Sequence, residues 1–318
     1  MKKLIKLIGI ILTIIGLIVF ISFVNHKIKL KNEDALFKTN GKIVEVNGHH
    51  LNVYLSGNPN SDFTLVFMSG AGTCSPTLDF KTLYSLFEKD YQIAVVEKAG
   101  YGFSDISDIS RDIDTILFET RESLNQAGVT NHKYILFPHS MSGIEALYWA
   151  NKYPDEIKGI IGLDLSVPAA YQNTKINMFL LSAAKFGADI GLTRFLPYLV
   201  DSSSAIKDGN LTEEEKELYK VIFYRRTATT SMINEAKTIQ ANAKKLEQID
   251  TTNVPMLFFI SNGDGTGYSK EEWRSFGVGY LANKQNGKYQ FLDCSHYVHN
   301  IAYQQIYEES IKFINQLK

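Results

Sequence analysis

Three side chains suited to acyl transfer occur in the order serine, aspartate, histidine: Ser140, Asp264 and His296. A serine hydroxyl is a poor nucleophile at its own pKa, so it needs a neutral imidazole to take its proton. The imidazole in turn needs a carboxylate to fix its tautomer and stabilise the cation it becomes. Ser140 is therefore the candidate nucleophile, His296 the candidate base and Asp264 the candidate orienting acid. Asp164 and Asp293 compete for the acid's place, but Asp164 precedes a long helical stretch and Asp293 lies almost beside His296, which favours Asp264. His299 competes with His296, and His139 reads as a packing residue. His296 and His299 have no clear third ligand, which argues against a metal pair.

Each of these groups sits where a strand gives way to a turn. Tyr134 to Tyr148 reads YILFPHSMSGIEALY: a β-prone apolar run, a serine, then small residues opening a run with helical spacing. A serine on such a strand-turn-helix connection is pushed out of the sheet's end, beside backbone N–H groups able to hold a developing negative charge. Met256 to Ile260 is an apolar run ending in SNGDGTG, and Tyr289 to Leu292 ends in DCSHYVHN. Thr64 to Met68 ends in SGAG, a glycine-rich turn that lacks the phosphate-loop pattern and suits oxyanion donation.

The surrounding pattern supplies a frame. Asn47-Gly48 joins two short strands as a hairpin, with His49 and His50 as hairpin residues on opposite faces. Strands then alternate with helices, including Ile113 to Ala127, which implies a largely parallel sheet with an antiparallel edge and one shared face for the carboxyl-end loops. The alternation stops from about Val167 to Thr252. There Met178 to Val200 is apolar and aromatic, and Thr212 to Glu215 forms a capping box. This stretch reads as a helical cap whose apolar side covers the carboxyl end of the sheet. Tyr303 to Leu317 reads as a closing amphipathic helix.

Composition narrows the function classes. The 318 residues are 45% hydrophobic and 21% charged with a net charge of −1, so there is no electrostatic footprint for nucleic acid. Cys74 and Cys294 are too few and too far apart for a zinc knuckle or a redox pair; two separate thiols are the default, a disulfide the alternative. No charge interrupts Leu7 to Val24, a stretch that would make a helix about 27 Å long, close to the thickness of a bilayer core. No small-x-small cleavage site follows it, which favours an uncleaved signal anchor. Lys2, Lys3 and Lys6 on one flank are matched by Lys27, Lys29 and Lys31 on the other, so the lysine count does not decide the orientation. A six-residue tail carrying three lysines and the α-amine favours an inside N-terminus, hence a single-pass protein of the cell membrane with its globular part outside the cytoplasm.

SGAG, EKAGYGFSD, PHSMSG, NGD and CSHYVH, in that order, make residues Lys42 to Leu317 resemble the α/β-hydrolase superfamily, in particular its capped, esterase- and lipase-like serine hydrolases. The resemblance implies a mostly parallel sheet with helices on both faces, with 42–166 and 253–318 as core and 167–252 as a helical cap after the sixth strand. Residues 1–6 would be a cytoplasmic tail, 7–24 the membrane anchor and 25–41 a polar stalk. It further implies Ser140, Asp264 and His296 as the triad, with the Ala71 and Met141 N–H groups as the oxyanion hole. The usual elbow glycines are Pro138 and Ser142 here, and the usual histidine before the oxyanion glycine is Ser69. The expected activity is hydrolysis of a carboxylic ester with a hydrophobic acyl group, on a small-molecule or lipid-like substrate. No cofactor or obligate protein partner is needed for it. An aminopeptidase or amidase on the same triad, or a non-catalytic receptor on the same scaffold, are the alternatives.

Overall fold

A computed structural model describes residues 1–318. Eight strands form one sheet: β1 (Lys42–Val46), β2 (His49–Gly57), β3 (Thr64–Met68), β4 (Gln92–Glu97), β5 (Tyr134–Pro138), β6 (Ile157–Leu163), β7 (Met256–Ile260) and β8 (Gly287–Phe291). Their order across the sheet is β1-β2-β4-β3-β5-β6-β7-β8. The hairpin β1–β2 pairs antiparallel through Asn47-Gly48, both left-handed, and β2 pairs antiparallel with β4. All later neighbours are parallel. This is the α/β-hydrolase fold, with an antiparallel edge on a parallel sheet.

The central strands read as continuous apolar runs because both faces are covered. On one face the helices Ile113–Gln126, Ser142–Lys152 and Lys270–Leu281 bury residues such as Leu117, Trp149 and Trp273 against Val66, Leu136 and Phe258. On the other, Phe80, Phe87 and the C-terminal helix Tyr303–Asn315 close over Phe67 and Phe137, whose rings stack at 4.6 Å. Burying such aromatic side chains is worth about 2–3 kcal/mol each, so the layers on either side hold the strand ends in fixed register.

Between β6 and β7 lies a helical stretch comprising Met178–Asp189, Glu213–Arg226 and Thr230–Glu247, with short turns between them. Thr212 and Glu215 form a reciprocal capping box at the second of these, satisfying two N–H groups that the first helical turn leaves free. Helix Thr230–Glu247 packs Ile239, Ala243 and Leu246 into the core beside the elbow helix Ser142–Lys152. Helix Glu213–Arg226 packs Tyr219 and Ile222 on Cys74 and Leu78, next to the turn after β3. Lys98, just after β4, and Glu235 form a fully buried ion pair, and Tyr101 Oη donates to the same carboxylate at 2.6 Å.

Two findings depart from the sequence expectation. The apolar side of Met178–Val200 does not turn inward over the sheet; Phe179, Leu180, Phe186, Phe195 and Tyr198 are exposed. The N-terminal helix does not end where charge returns, but runs from Lys2 to Asn32, through the first half of the expected stalk. Cys74 and Cys294 are separate free thiols. Burial pushes the first up to about 12 and the second up to about 11.

Candidate active site

Ser140 stands between β5 and the elbow helix with φ of +53°. A non-glycine residue held left-handed costs about 1–3 kcal/mol, and here the turn is fixed from several sides. The Ser140 carbonyl accepts from Gly143 N–H at 3.0 Å and from Ser166 N–H at 2.8 Å. Ser142 Oγ donates to Met68 O at 2.6 Å and lies 2.9 Å from His139 O, clamping the elbow to the end of β3. Ser142 thus contributes bonds that a glycine could not. The close approach of helix and strand moves one residue along: a Cβ at Gly143 would meet Ser166 O at 2.3 Å. Pro138 ends β5 opposite Met68, where the missing donor interrupts no pairing, since the bridging N–H comes from His139 to Met68 O at 2.9 Å.

The turn after β3 presses directly on the elbow, for a Cβ at Gly70 would fall 2.6 Å from Ser140 Cβ. Next to it, Ala71 N–H donates to no group of the protein, and neither does Met141 N–H at the start of the elbow helix. The sequence expectation named these two as oxyanion donors; the structure leaves both unspent, on the residues that flank Ser140 from β3 and from its own helix.

The imidazole of His296 is held by a different aspartate from the one expected. His296 Nδ1 lies 2.6 Å from Asp164 Oδ2, and both side chains are buried. A carboxylate only accepts, so Nδ1 carries the proton and Nε2 is left as the basic nitrogen. Asp164 follows β6, the strand adjoining β5, and is itself left-handed at φ of +51°. Its other oxygen, Oδ1, accepts from Ser261 N–H at 2.7 Å and from Trp273 Nε1–H at 2.8 Å. Asp264 is exposed, its carboxylate accepting from Asn262 Nδ2 at 3.1 Å. It meets His296 only through the main chain, its carbonyl accepting from His296 N–H at 2.9 Å. The assignment of Asp264 as the carboxylate on His296 is thus corrected to Asp164. The reason is reach: the turn after β7, with Gly263 and Gly265 both left-handed, carries Asp264 outward, whereas β6 delivers Asp164 into the sheet's end beside the elbow. The Ser…Asp…His order holds for either aspartate, so order alone could not choose. The usable signal was the buried apolar run Ile157 to Leu163 leading straight into Asp164.

The remaining histidines have separate places. His299 Nε2 lies 2.8 Å from Asp79 Oδ2, both side chains are buried, and the His299 ring packs on Phe80. His139 packs between the rings of His296 and His299 and donates from Nε2 to the His296 carbonyl at 3.2 Å. Burial, with His296 and His299 close by, holds its pKa well below the ordinary histidine value, so it stays neutral and serves to seat the loop that carries His296. A cavity of about 390 Å³ adjoins the site, lined by Gly72 and Thr73 after β3, Tyr297 beside His296, Tyr219 and Phe223 of helix Glu213–Arg226, and Leu199.

Known proteins share this fold. The profile of the Hydrolase_4 family, described as serine aminopeptidase, S33, matches residues 59–276. YbdG of Bacillus subtilis (strain 168) is 36% identical over 99% of this chain and 98% of its own length. Among solved structures, Cfl2 from Burkholderia cenocepacia aligns with a TM-score of 0.67 at 15% identity, over 86% of this chain and 95% of its own. The haloalkane dehalogenase DbeA from Bradyrhizobium elkani USDA94 aligns with a TM-score of 0.64 at 13% identity, over 87% and 97%. At such identities the solved structures speak for the fold alone. The profile runs from just before β3 into the helix after β7, taking in the elbow and the aspartate that follows β6, and it identifies the chain as a member of the Hydrolase_4 (serine aminopeptidase, S33) family of α/β-hydrolases.

Proposed function

We propose that the protein is a membrane-anchored serine hydrolase that cleaves carboxylic esters through an acyl-enzyme, with Ser140 as nucleophile, His296 as base and Asp164 as the acid that orients it. The observation that carries this reading is the buried His296–Asp164 pair at the end of the strand next to a left-handed elbow serine. Ser140 Oγ attacks the acyl carbon and passes its proton to His296 Nε2, while Asp164 stabilises the imidazolium. The carbonyl oxygen becomes an oxyanion that accepts from Ala71 N–H and Met141 N–H. His296 then returns the proton to the leaving alkoxide as the C–O bond breaks. Water, deprotonated by the same imidazole, attacks the acyl-serine and releases the acid.

The residues 167–252 act as a cap, and a hydrophobic acyl group would lie against Leu199, Tyr219, Phe223 and Tyr297 in a cavity whose lining also includes the polar Ser202, Ser203, Ser204, Lys207 and Asp208. The family's description supports aminopeptidase action as a second reading. Of the acidic side chains lining the cavity, Asp79 is held by His299, while Asp208 accepts only from the neutral Ser204 hydroxyl and keeps a carboxylate to which a substrate's ammonium could bind. The N-terminal helix, with a mean hydropathy of 3.0 over its most apolar 18 residues, supports the anchor, and the lysines of the tail support an extracytoplasmic site.

The test is kcat/KM for p-nitrophenyl esters from acetate through laurate, beside a set of aminoacyl p-nitroanilides. Medium and long acyl esters are expected to be turned over best and the anilides poorly. Best turnover of acetate would sink the hydrophobic acyl preference, and faster anilide cleavage would give the assignment to the aminopeptidase reading.

A further inference from the structure

The exposed apolar side of Met178–Val200 has a neighbour that says what covers it. Along the N-terminal helix the residues turned toward the protein are Val19, Ser22, Asn25, His26, Leu30 and Glu33, a stripe at helical spacing. Ser22 Oγ donates to Ile190 O at 2.6 Å. At Gly191 the two backbones come so close that a Cβ would fall 2.4 Å from His26 Cβ. Arg194 donates from Nε to His26 Nδ1 at 2.9 Å and forks both terminal nitrogens onto Glu33, each at 2.8 Å. Arg225 holds the Leu30 carbonyl and Asp34, and its guanidinium lies 4.6 Å from the ring of Phe37. The helix is therefore fastened to residues 190–194, and not joined to the rest of the protein by a loose stalk.

The fastening point fixes a depth. Ser22 lies inside the uncharged run that ends at Val24, so Ile190 sits level with the last turn of the bilayer-length segment and Gly191, against His26, just past its end. Around them Phe179, 84% exposed, is joined by Leu180, Phe186, Phe195, Leu196 and Tyr198, all exposed. The charged residues between Met178 and Val200 are Lys185, Asp189 and Arg194; the first two pair at 2.8 Å and the third holds Glu33. A surface with this many aromatic and aliphatic groups and no free charge offers nothing for a polar protein partner to read, but it suits the headgroup and outer acyl region of a membrane.

We propose that Met178–Val200 is a bilayer-docking surface, inserted in the leaflet from which the N-terminal helix emerges. This rests on the reading of that helix as a membrane span. The occupant is lipid, and the consequence reaches the active site: Leu199, at the end of the same segment, lines the cavity beside Ser140's oxyanion turn, so the cavity opens next to the lipid surface. An amphiphilic ester would pass from the bilayer to the site without crossing bulk water.

The experiment uses the full chain in phosphatidylcholine–phosphatidylglycerol vesicles, with Cys294→Ser removing the half-buried thiol and Cys74 left buried. An environment-sensitive fluorophore is attached singly at Phe179→Cys, Phe195→Cys, Ile15→Cys in the span, or Asn60→Cys on the exposed loop before β3. Lipids brominated on their acyl chains serve as quenchers. Probes at 179, 195 and 15 are expected to emit to the blue of the probe at 60 and to lose most of their emission to brominated lipid, while 60 loses none. Quenching at 15 with none at 179 and 195 would overturn the docking surface while sparing the anchor. A blue-shifted but unquenched probe at 179 would overturn it too, assigning the face to a second protein copy. Loss of quenching at 15 itself would show that the anchor reading has failed, and the docking proposal with it.

Discussion

Asp164→Asn is the perturbation whose outcome follows most directly from atomic geometry. Asp164 Oδ1 is committed as an acceptor from Ser261 N–H and Trp273 Nε1–H. An asparagine must keep its carbonyl oxygen there, since turning the amide over would set its NH₂ against two donors. Its Nδ2–H₂ then faces His296 Nδ1, where the carboxylate stood 2.6 Å away. Nδ1 must now accept, the proton moves to Nε2, and the imidazole can no longer take a proton from Ser140. Both the tautomer and the stabilisation of the imidazolium are lost, and in triads of this kind that costs about 10³–10⁴ in kcat, or roughly 4–5.5 kcal/mol. The fold is retained because the Oδ1 bonds survive. Asp264→Asn leaves the His296 ring untouched and is expected to change kcat by less than about threefold, in line with the usual small effect of exposed substitutions. Steady-state ester hydrolysis by the two variants, with circular dichroism to verify folding, checks both. A folded Asp164→Asn enzyme within tenfold of wild type, or a collapse of activity in Asp264→Asn instead, would refute the reasoning.

Removing one side of the buried Lys98–Glu235 pair strands a charge, so Glu235→Ala is expected to lower unfolding free energy by about 3–5 kcal/mol in urea melts in detergent micelles, and Lys98→Met/Glu235→Leu to recover most of it. A loss below about 1 kcal/mol in the single variant would show that the pair is solvated. His139 titrates in the unfolded chain near the ordinary histidine value of about 6.5, but well below it when folded. Between those values only the unfolded chain binds the proton, so stability is full above about pH 6.5 and falls as the pH drops, by up to about 1.4 kcal/mol per unit. His139→Asn is expected to flatten that slope, and equal slopes in the two proteins would contradict it.

What the sequence carried well was local. Asn47-Gly48 needed only turn chemistry, and the elbow needed only a β-prone run, a serine and a helical run to be placed correctly at the sheet's carboxyl end. Thr212 and Glu215 likewise announce their own capping box. The partner of His296 was not local: Asp164 and Asp264 both end strands in the permitted order, and only the adjacency of β6 to β5 and the outward path of the turn after β7 separate them. Lys98 and Glu235 are far apart in the chain and meet only once the helices between β6 and β7 have folded back. The outward face of Met178–Val200 was misplaced for a third reason. An apolar stripe shows that something must cover it but does not name the cover, and the sheet below is already covered by other helices.

Labelling of the full chain in detergent micelles by a fluorophosphonate, read by intact mass and peptide mapping, tests the assignment of Ser140 as an activated nucleophile most directly. The expected result is a single phosphonyl adduct on Ser140, absent in Ser140→Ala and formed far more slowly in Asp164→Asn. Folded wild-type protein that takes up no label, or a Ser140→Ala variant labelled as fast as wild type, would contradict it.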